Sequence, residues 1–409
     1  MSKIEEFGKY LLLDDIAEGG MATIRRARFL DKVVIIKMIK ESFSQDTNYK
    51  AMFIDEIKNS FKLIHPNIAQ IYDYGESENQ LYCAMEFVDG KNLKEFADKC
   101  SFNQLKFPID IALHVTIEAC AGLNYTHKYT DRFSGSTPNI IHRDISPNNI
   151  MISHDGTVKI IDFGIAKAKT NSQQTTEVGT IKCNAAYAGP EYIKGSTLDH
   201  RYDQFSLAVV LWELLTGKKL FAVEDTILTL QNVQKCAVDA PSKYNDLVTP
   251  RLDSIVLKAL SKKPDDRFVD IEQFSRELSK ELNHLYPGFN ASDLKYFSNY
   301  IFKKEIEQDT EKYTQLYNQS NQFKFIKESK DIELDSDKKS SANANARKSV
   351  RRSAIHKKSE LSKQEYQTFK LSEKVESFKL FYMLAISLVL GFMLGEQFLK
   401  ELLKGWIMS

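Results

Sequence analysis

Two carboxylates and an amide stand at short spacing in the middle of the chain. In the stretch IIHRDISPNNIMI, Asp144 and Asn149 lie between apolar flanks, and Asp162 follows in IIDFG. Carboxylate and amide oxygens are the hard ligands that Mg²⁺ prefers, and a carboxylate can also orient a hydroxyl acceptor. These residue types in this order favour transfer of a phosphoryl group to a hydroxyl.

A clamp for phosphate groups is available earlier in the chain. Gly19 and Gly20 lie in a turn between two strand-like runs, Lys37 ends the apolar run VVIIK, and Glu56 follows in a helical run where it could pair with Lys37. Each feature has an ordinary alternative, because Gly-Gly is common in hairpins and a lysine at a strand end is usually solvated. The order of these features along the chain is what favours a phosphate clamp.

The elements that must position these residues change character along the chain. Residues 10–88 read as strands with one helical run at 46–63, and after residue 92 the apolar period becomes helical. A last amphipathic helix is expected at 292–309. The sequence therefore predicts an α+β, bilobal fold, with a small β-rich N-terminal lobe and a large helical C-terminal lobe.

The motifs together resemble a known family. HRDISPNN at 142–149, DFG at 162–164 and YAGPE at 187–191 are similar to bacterial eukaryotic-type (Hanks-type) serine/threonine protein kinases, and the likeness covers roughly residues 7–282. It implies the protein-kinase-like fold, ATP and Mg²⁺ as cofactors, and protein substrates with Ser or Thr acceptors. The HRD-x-S-P form resembles a subgroup from predatory and social bacteria.

The resemblance assigns a role to each matching position. Asp144 would be the catalytic carboxylate, Lys37 and Glu56 the strand–helix ion pair, and Asn149 and Asp162 the Mg²⁺ ligands. The residues implied to bind ATP are Ile16, Ala17, Gly19, Gly20, Ile24, Ile35, Lys37, Met85, Glu86, Val88 and Met151.

Further positions are implied to be structural. Asp203 would anchor the backbone of the catalytic loop, and Glu191 with Arg267 would form an ion pair that braces the large lobe. His142 is expected to pack within the loop and not to transfer protons in the reaction.

Regulation by phosphorylation is also implied. Arg143 precedes the catalytic carboxylate, and in this family such an arginine commonly meets a phosphate on the activation segment. Thr175 and Thr176 are the best-placed acceptors.

The chain departs from the family pattern at several positions. Ala17 and Ala22 replace glycines of the phosphate loop, Ile35 replaces a small residue, Ser146 replaces a lysine, and Asn184 replaces a common threonine. A pseudokinase acting as a nucleotide-binding or interaction scaffold is therefore the alternative to an active kinase. The intact residues that carry the chemistry favour the kinase, with Ser146 in a modest hydrogen-bonding role.

Composition limits the other function classes. The chain has 409 residues, 43% of them hydrophobic, and 56 basic against 55 acidic side chains, so no nucleic-acid partner is indicated. Its five cysteines form no C-x-x-C pattern and suggest neither a zinc site nor a disulfide framework. The N-terminus lacks the apolar region of a secretory signal.

The C-terminal part changes from basic to apolar. Residues 338–374 carry many Lys and Arg, and the uncharged stretch 380–395 follows. A spanning helix needs about 20 apolar residues, so this stretch is short. The alternative is a helix that lies at the membrane interface or that oligomerises, in which case the chain would form a homodimer. The positive-inside rule predicts a single-pass inner-membrane protein with its kinase domain in the cytoplasm.

The predicted parts are a kinase domain at 7–285, a helical extension at 286–310, a polar and basic linker at 311–377, a transmembrane helix at 378–399 and a tail at 400–409.

Overall fold

The computed structural model describes residues 4–20, 22–45, 47–132, 134–163 and 185–340, without the side chains of 48, 49, 52, 55, 56, 59 and 324–340. The chain divides into two compact units, Met1–Phe323 and Lys324–Ser409. The first unit contains every predicted site residue, and those at 164–184 lie outside the described residues. The predicted helix at 378–399 and the tail lie outside the described residues.

The small lobe is an antiparallel sheet with two helices. Its six strands are hydrogen-bonded in the order β1-β2-β3-β4-β6-β5. The strands are β1 (Glu5–Phe7), β2 (Tyr10–Glu18), β3 (Ala22–Phe29), β4 (Lys32–Ile39), β5 (Ile71–Ser77) and β6 (Gln80–Glu86). The helices are α1 (Glu41–Ser44) and α2 (Thr47–Phe61), where the sequence predicted one helical run.

The two faces of this sheet bury different clusters. Because successive side chains of a strand point to opposite faces, β4 places Val34, Ile36 and Met38 on one face and Ile35 and Lys37 on the other. The first face packs with β1 and β2. The second face packs on α2, in a cluster made of Ala22, Ile39, Phe53, Ile57, Ile71, Leu81, Cys83 and Met85. The alternation of the sequence KVVIIKMI thus turns Lys37 towards the same side as α2.

The large lobe is helical and surrounds one long buried helix. Its helices are α3 (Leu93–Phe102), α4 (Ile109–His127), α5 (Pro190–Ile193), α6 (Arg201–Thr216), α7 (Thr226–Lys235), α8 (Pro250–Ala259), α9 (Ile271–Leu285) and α10 (Ala291–Ile301). Buried residues occupy α6 from Tyr202 to Leu215, and the helix ends at Gly217 with φ +67°. A helix buried on all sides is the core of the lobe. The α+β bilobal prediction is confirmed.

A small sheet holds the loop between α4 and the strands that follow it. It consists of β7 (Gly90–Asn92), β8 (Ile150–Ser153) and β9 (Val158–Ile160), all antiparallel. A Cβ on Gly90 would lie 2.0 Å from the carbonyl oxygen of Ile152, so only glycine allows this approach. Residues 142–149 and 161–163 therefore emerge side by side from one rigid sheet.

The helical region near residue 300 differs from the prediction. The expected helix at 292–309 is broken at Phe302, which is buried, and a new helix, α11 (Lys303–Ser340), continues through the predicted boundary at 310. The polar composition of 311–340 favoured a linker, but polar side chains of its first part, such as Lys312 and Ser320, contact the small lobe. Among the described residues, none of the helices is both long enough and apolar enough to cross a membrane.

Candidate active site

Asp203 fixes the backbone of the loop at 142–149. Its Oδ2 accepts hydrogen bonds from the amide of His142 (2.8 Å) and from Nε2 of His127 (2.8 Å), and its Oδ1 accepts from the amide of Arg143 (2.9 Å). Burial raises the pKa of Asp203, but these hydrogen bonds and the neighbouring imidazoles outweigh it and lower the pKa overall. The side chain is fully buried and ionised, which confirms the predicted anchor.

His142 packs inside the loop as predicted. Its side chain is fully buried, and its ring lies 4.6 Å from that of Phe163. Nε2 is 3.1 Å from the carbonyl oxygen of Ile161, and Nδ1 is 3.2 Å from the amide of Asp144. One neutral tautomer satisfies both contacts, with Nε2 donating and Nδ1 accepting. Burial also lowers the pKa of this imidazole, so His142 stays uncharged.

Asp144 and Asn149 face each other across the loop. The side-chain nitrogen of Asn149 donates to the carbonyl oxygen of Asp144 (2.8 Å) and to its carboxylate Oδ2 (3.1 Å). The carboxamide nitrogen is used in this way, so the carboxamide oxygen is the group that Asn149 can offer to a cation. The carboxylate is thereby held in one orientation.

Lys37 and Asp162 join the two lobes. Lys37 Nζ lies 2.8 Å from Asp162 Oδ1, and both side chains are largely buried. Asp162 has a φ of +56°, unusual for a residue other than glycine, and the amide of Ile161 donates to the carbonyl oxygen of Asn149 (3.0 Å). These features place Asp162 beside Asn149. The predicted pairing of Lys37 with Glu56 involves a side chain outside the described ones.

The sheet face that carries Lys37 also carries several residues predicted to bind ATP. In the strand register Ile24 is opposite Lys37, and Ile35 is opposite Met85. The turn between β2 and β3 is closed by a hydrogen bond from the amide of Gly19 to the carbonyl oxygen of Ala22 (2.8 Å).

The other predicted ATP contacts lie around this face. Ile16 is 45% exposed and Val88 is buried, while Glu86 pairs with Lys159 (3.1 Å). Ala17 lies opposite Ile24 in β2, Gly20 lies in the turn, and Met151 lies in β8.

Ser146 is buried in the loop between Asp144 and Asn149. Its side chain is fully buried, and its hydroxyl has no hydrogen bond to any residue that the structure describes. Its carbonyl oxygen accepts from the amide of Asn149 (3.0 Å), within the short helical turn that positions that side chain. The structure therefore gives Ser146 a place in the loop's packing, and its modest hydrogen-bonding role stays a prediction.

Two ion pairs brace the large lobe, one predicted and one missed. Arg267 donates to both carboxylate oxygens of Glu191 (2.8 and 2.7 Å), which confirms that pair. The missed one joins Glu213 to Lys219 (2.7 Å) and to the hydroxyl of Tyr187 (2.8 Å). No sequence pattern pointed to the Glu213–Lys219 pair, because Lys219 lies in a turn rich in lysine.

The resemblance also assigned regulatory roles to two threonines and to Arg143. Thr175 and Thr176 lie outside the described residues. Arg143, with a φ of +63°, has a buried Nε without a hydrogen bond to any described residue.

No cluster of three or more His, Cys, Asp or Glu side chains that could hold a metal occurs among the residues described. The Asn149 and Asp162 pair has the oxygen donors that suit Mg²⁺.

The fold and the arrangement of Lys37, Asp144, Asn149 and Asp162 define a protein kinase. The protein kinase domain family matches residues 10–279, so the chain belongs to this family. It is 33% identical over 307 residues to the tyrosine-protein kinase MasK of Myxococcus xanthus, covering 74% of this chain and 47% of that one. It is 33% identical over 287 residues to the serine/threonine-protein kinase PknB of Mycobacterium leprae, covering 68% and 43%.

The chain spans less than half the length of these curated relatives. A solved structure of the Mycobacterium tuberculosis PknI kinase domain superposes with a TM-score of 0.54 at 22% identity, over 69% of this chain and 98% of that one. At that identity the likeness supports the fold alone.

Proposed function

We propose that this chain is an ATP-dependent protein kinase that phosphorylates Ser or Thr side chains of proteins. The observation that carries the proposal is the convergence of Lys37, Asp162, Asn149 and Asp144, held by hydrogen bonds of 2.8–3.1 Å on elements of both lobes. Every group that phosphoryl transfer requires is present in this set. No observation favours the pseudokinase alternative.

The residues have distinct tasks in the proposed reaction. The acceptor oxygen forms a bond to the γ-phosphorus, the bond between that phosphorus and the bridging oxygen to the β-phosphate breaks, and ADP leaves with the electron pair. Asp144 orients the acceptor hydroxyl and takes its proton, while Lys37 faces the phosphates of ATP. Asn149 and Asp162 would hold Mg²⁺, which neutralises phosphate charge when it is bound.

The test is phosphate transfer by the full chain. With ATP, Mg²⁺ and a generic basic protein acceptor, we expect labelled phosphate on the chain itself and on the acceptor, and we expect Asp144→Asn to remove it. Phosphoamino-acid analysis decides between Ser/Thr and Tyr, which matters because one relative is named a tyrosine kinase. Full activity in Asp144→Asn, or label on tyrosine alone, would contradict the proposal.

We also propose that the kinase is attached to the cell inner membrane by the apolar stretch at 380–395, with the kinase domain in the cytoplasm. The sequence alone supports this, through the uncharged stretch and the basic run before it. Deletion from Leu380 onward should turn a carbonate-resistant membrane protein into a soluble one that keeps its kinase activity. Release of the full chain by carbonate would favour an interfacial helix. The homodimer stays a prediction.

A further inference from the structure

The first part of α11 is attached to the large lobe. Glu305 pairs with Lys99 of α3, and Asp309 Oδ2 lies 2.9 Å from Nζ of Lys91 in β7. Phe302, immediately before the helix, packs edge to face against Phe96 at 4.7 Å. The helix thus begins from a fixed position on the lobe that carries the catalytic loop.

The middle of α11 lies against the segment that connects the two lobes. The ring of Tyr313 meets that of Phe87 edge to face at 5.7 Å. The guanidinium carbon of Arg26, in β3, lies 4.3 Å from the centre of the Tyr313 ring and 5.0 Å from that of Phe87. Burial raises the pKa of Tyr313, so its hydroxyl stays protonated. One arginine of the small lobe therefore contacts both rings.

The next part of α11 is attached to the small lobe. Lys312 Nζ lies 2.7 Å from the buried carboxylate of Asp14. Arg28 Nη1 donates to Ser320 Oγ (2.8 Å) and lies over the ring of Tyr317, its guanidinium carbon 4.5 Å from the ring centre. Arg28 and Ser320 are both buried. These contacts join residues almost three hundred positions apart in the sequence, within the unit Met1–Phe323.

The contacting side chains form one row along the helix. Glu305, Asp309, Tyr313, Tyr317 and Asn321 recur at every fourth position, so each lies next to the one before it and the row winds around the helix by about 40° per step. At 1.5 Å per residue the row is about 24 Å long. A single helix of that length, attached at both ends, connects the lobes independently of the chain segment between them.

The small-lobe end of this connection lies on the nucleotide side of the sheet. In the register of β3 and β4, Arg26 is opposite Ile35 and Ile24 is opposite Lys37. Side chains two positions apart on a strand share a face, so Arg26 and Arg28 lie on the face that carries Lys37. Phe87 lies between Glu86 and Val88, both predicted to contact adenine.

We propose that residues 303–323 of α11 form a strap that holds the two lobes in the arrangement that binds nucleotide, and that Tyr313 is a positioning residue for ATP through Phe87 and Arg26. The inference rests on the proposed function, since it assumes that the cleft takes ATP. When the two walls of the cleft are already held in place, closing the cleft costs little free energy, and nucleotide binds more tightly. Loosening the strap therefore weakens nucleotide binding more than it slows the transfer step.

The experiment compares three variants of the full chain. Tyr313→Ala removes the ring between the lobes, Tyr313→Phe keeps it, and Tyr300→Ala is the matched control, because Tyr300 is 76% exposed on α10. We expect Tyr313→Ala to raise both the KM for ATP and the Kd for Mg²⁺-ADP by roughly tenfold, with kcat changed less than threefold. Tyr313→Phe and Tyr300→Ala should match the unaltered chain.

Hydrogen exchange supplies a readout that does not depend on activity. Amides of β2 and β3 should exchange faster in Tyr313→Ala and in Lys312→Ala than in Tyr300→Ala. If Tyr313→Ala and Tyr300→Ala agree in both ADP affinity and exchange, the strap is refuted. If the unaltered chain binds no ADP, the proposed function fails, and exchange alone decides: faster exchange in Tyr313→Ala supports the strap and equal exchange refutes it.

Discussion

At the residue scale, the loop at 142–149 is defined by hydrogen bonds that each side chain can make in only one way. His142 uses both ring nitrogens, and Asn149 uses its nitrogen on Asp144, so the carboxylate of Asp144 has a fixed direction. Ser146 stands apart from this network, because its buried hydroxyl has no partner among the described residues. The usual lysine at that position would bring a charge into an enclosed site.

Replacing Ser146 tests this view. We expect Ser146→Ala to leave kcat/KM within roughly tenfold of the unaltered chain, the value of about one neutral hydrogen bond. Stability should be unchanged or higher, because an unpaired buried hydroxyl costs about 1–3 kcal/mol. Steady-state kinetics and urea unfolding measure the two effects. A loss as large as that of Asp144→Asn would show that the hydroxyl takes part in the chemistry.

Arg143 is expected to bind a phosphate group on the activation segment. Its buried Nε without a described partner agrees with a site for a negatively charged group. We expect active protein to carry phosphate at Thr175 or Thr176, where about two negative charges would pair with the guanidinium. Mass spectrometry of the segment 165–186 measures this, with Asp144→Asn as the unphosphorylated control. Active enzyme with no modification in that segment would end the idea.

At the element scale, the short helix α5 is held by one buried ion pair. Glu191 and Arg267 are 7% and 4% exposed, and they make two parallel hydrogen bonds. Such a pair contributes little compared with an apolar replacement, but removing one partner leaves a buried charge. The pair therefore fixes where α5 lies more than it adds to stability.

Single and double substitutions separate these effects. Glu191→Gln should lower the free energy of unfolding by about 3–5 kcal/mol, because Arg267 stays charged and buried. Adding Arg267→Met should recover part of that loss. The control is Asp98→Asn, which breaks the exposed pair of Lys94 and Asp98 and should cost less than about 1 kcal/mol. Equal effects of Glu191→Gln and Asp98→Asn in urea unfolding would contradict the argument.

Sequence reasoning predicted these elements unevenly. The loop anchor at Asp203 and the Glu191–Arg267 pair were predictable, because both belong to motifs whose order and spacing identify the family. The contacts of α11 were not predicted, since its row of Glu, Asp and Tyr residues gives no apolar stripe and its partners lie far away in the sequence. The spacing of four between Glu305, Asp309 and Tyr313 was the available signal. Lys37 was identified from the sequence, but its contact with Asp162 could not be, because that contact depends on how the two lobes pack together.

At the scale of the whole molecule, acid should destabilise the fold through its histidines. Burial lowers the pKa of four imidazoles, those of His65, His114, His142 and His154. In the unfolded chain their pKa returns to about 6.5, so below that pH the unfolded state takes up protons that the folded state does not. The stabilisation is complete above about pH 6.5 and is lost as the pH falls through the lower folded-state pKa values.

Thermal unfolding between pH 7.5 and 5.5 measures this dependence. We expect Tm to fall across the interval and to fall less in His142→Gln, which removes one of the four groups. Asp203, whose folded pKa is lowered from about 3.8, contributes only at more acidic pH, so the two classes are separable. A Tm that stays constant from pH 7.5 to 5.5 would contradict the prediction.

The strap also decides where a mechanical load enters the protein. Because Tyr317 and Ser320 contact Arg28, the last part of α11 within the unit Met1–Phe323 is attached to the small lobe. A pull applied to α11 at residue 323 would therefore act first on the Arg28 contacts and only afterwards on those of Asp309 and Glu305 at the large lobe. Such a pull would load the half of the cleft that carries Lys37 before the half that carries Asp144.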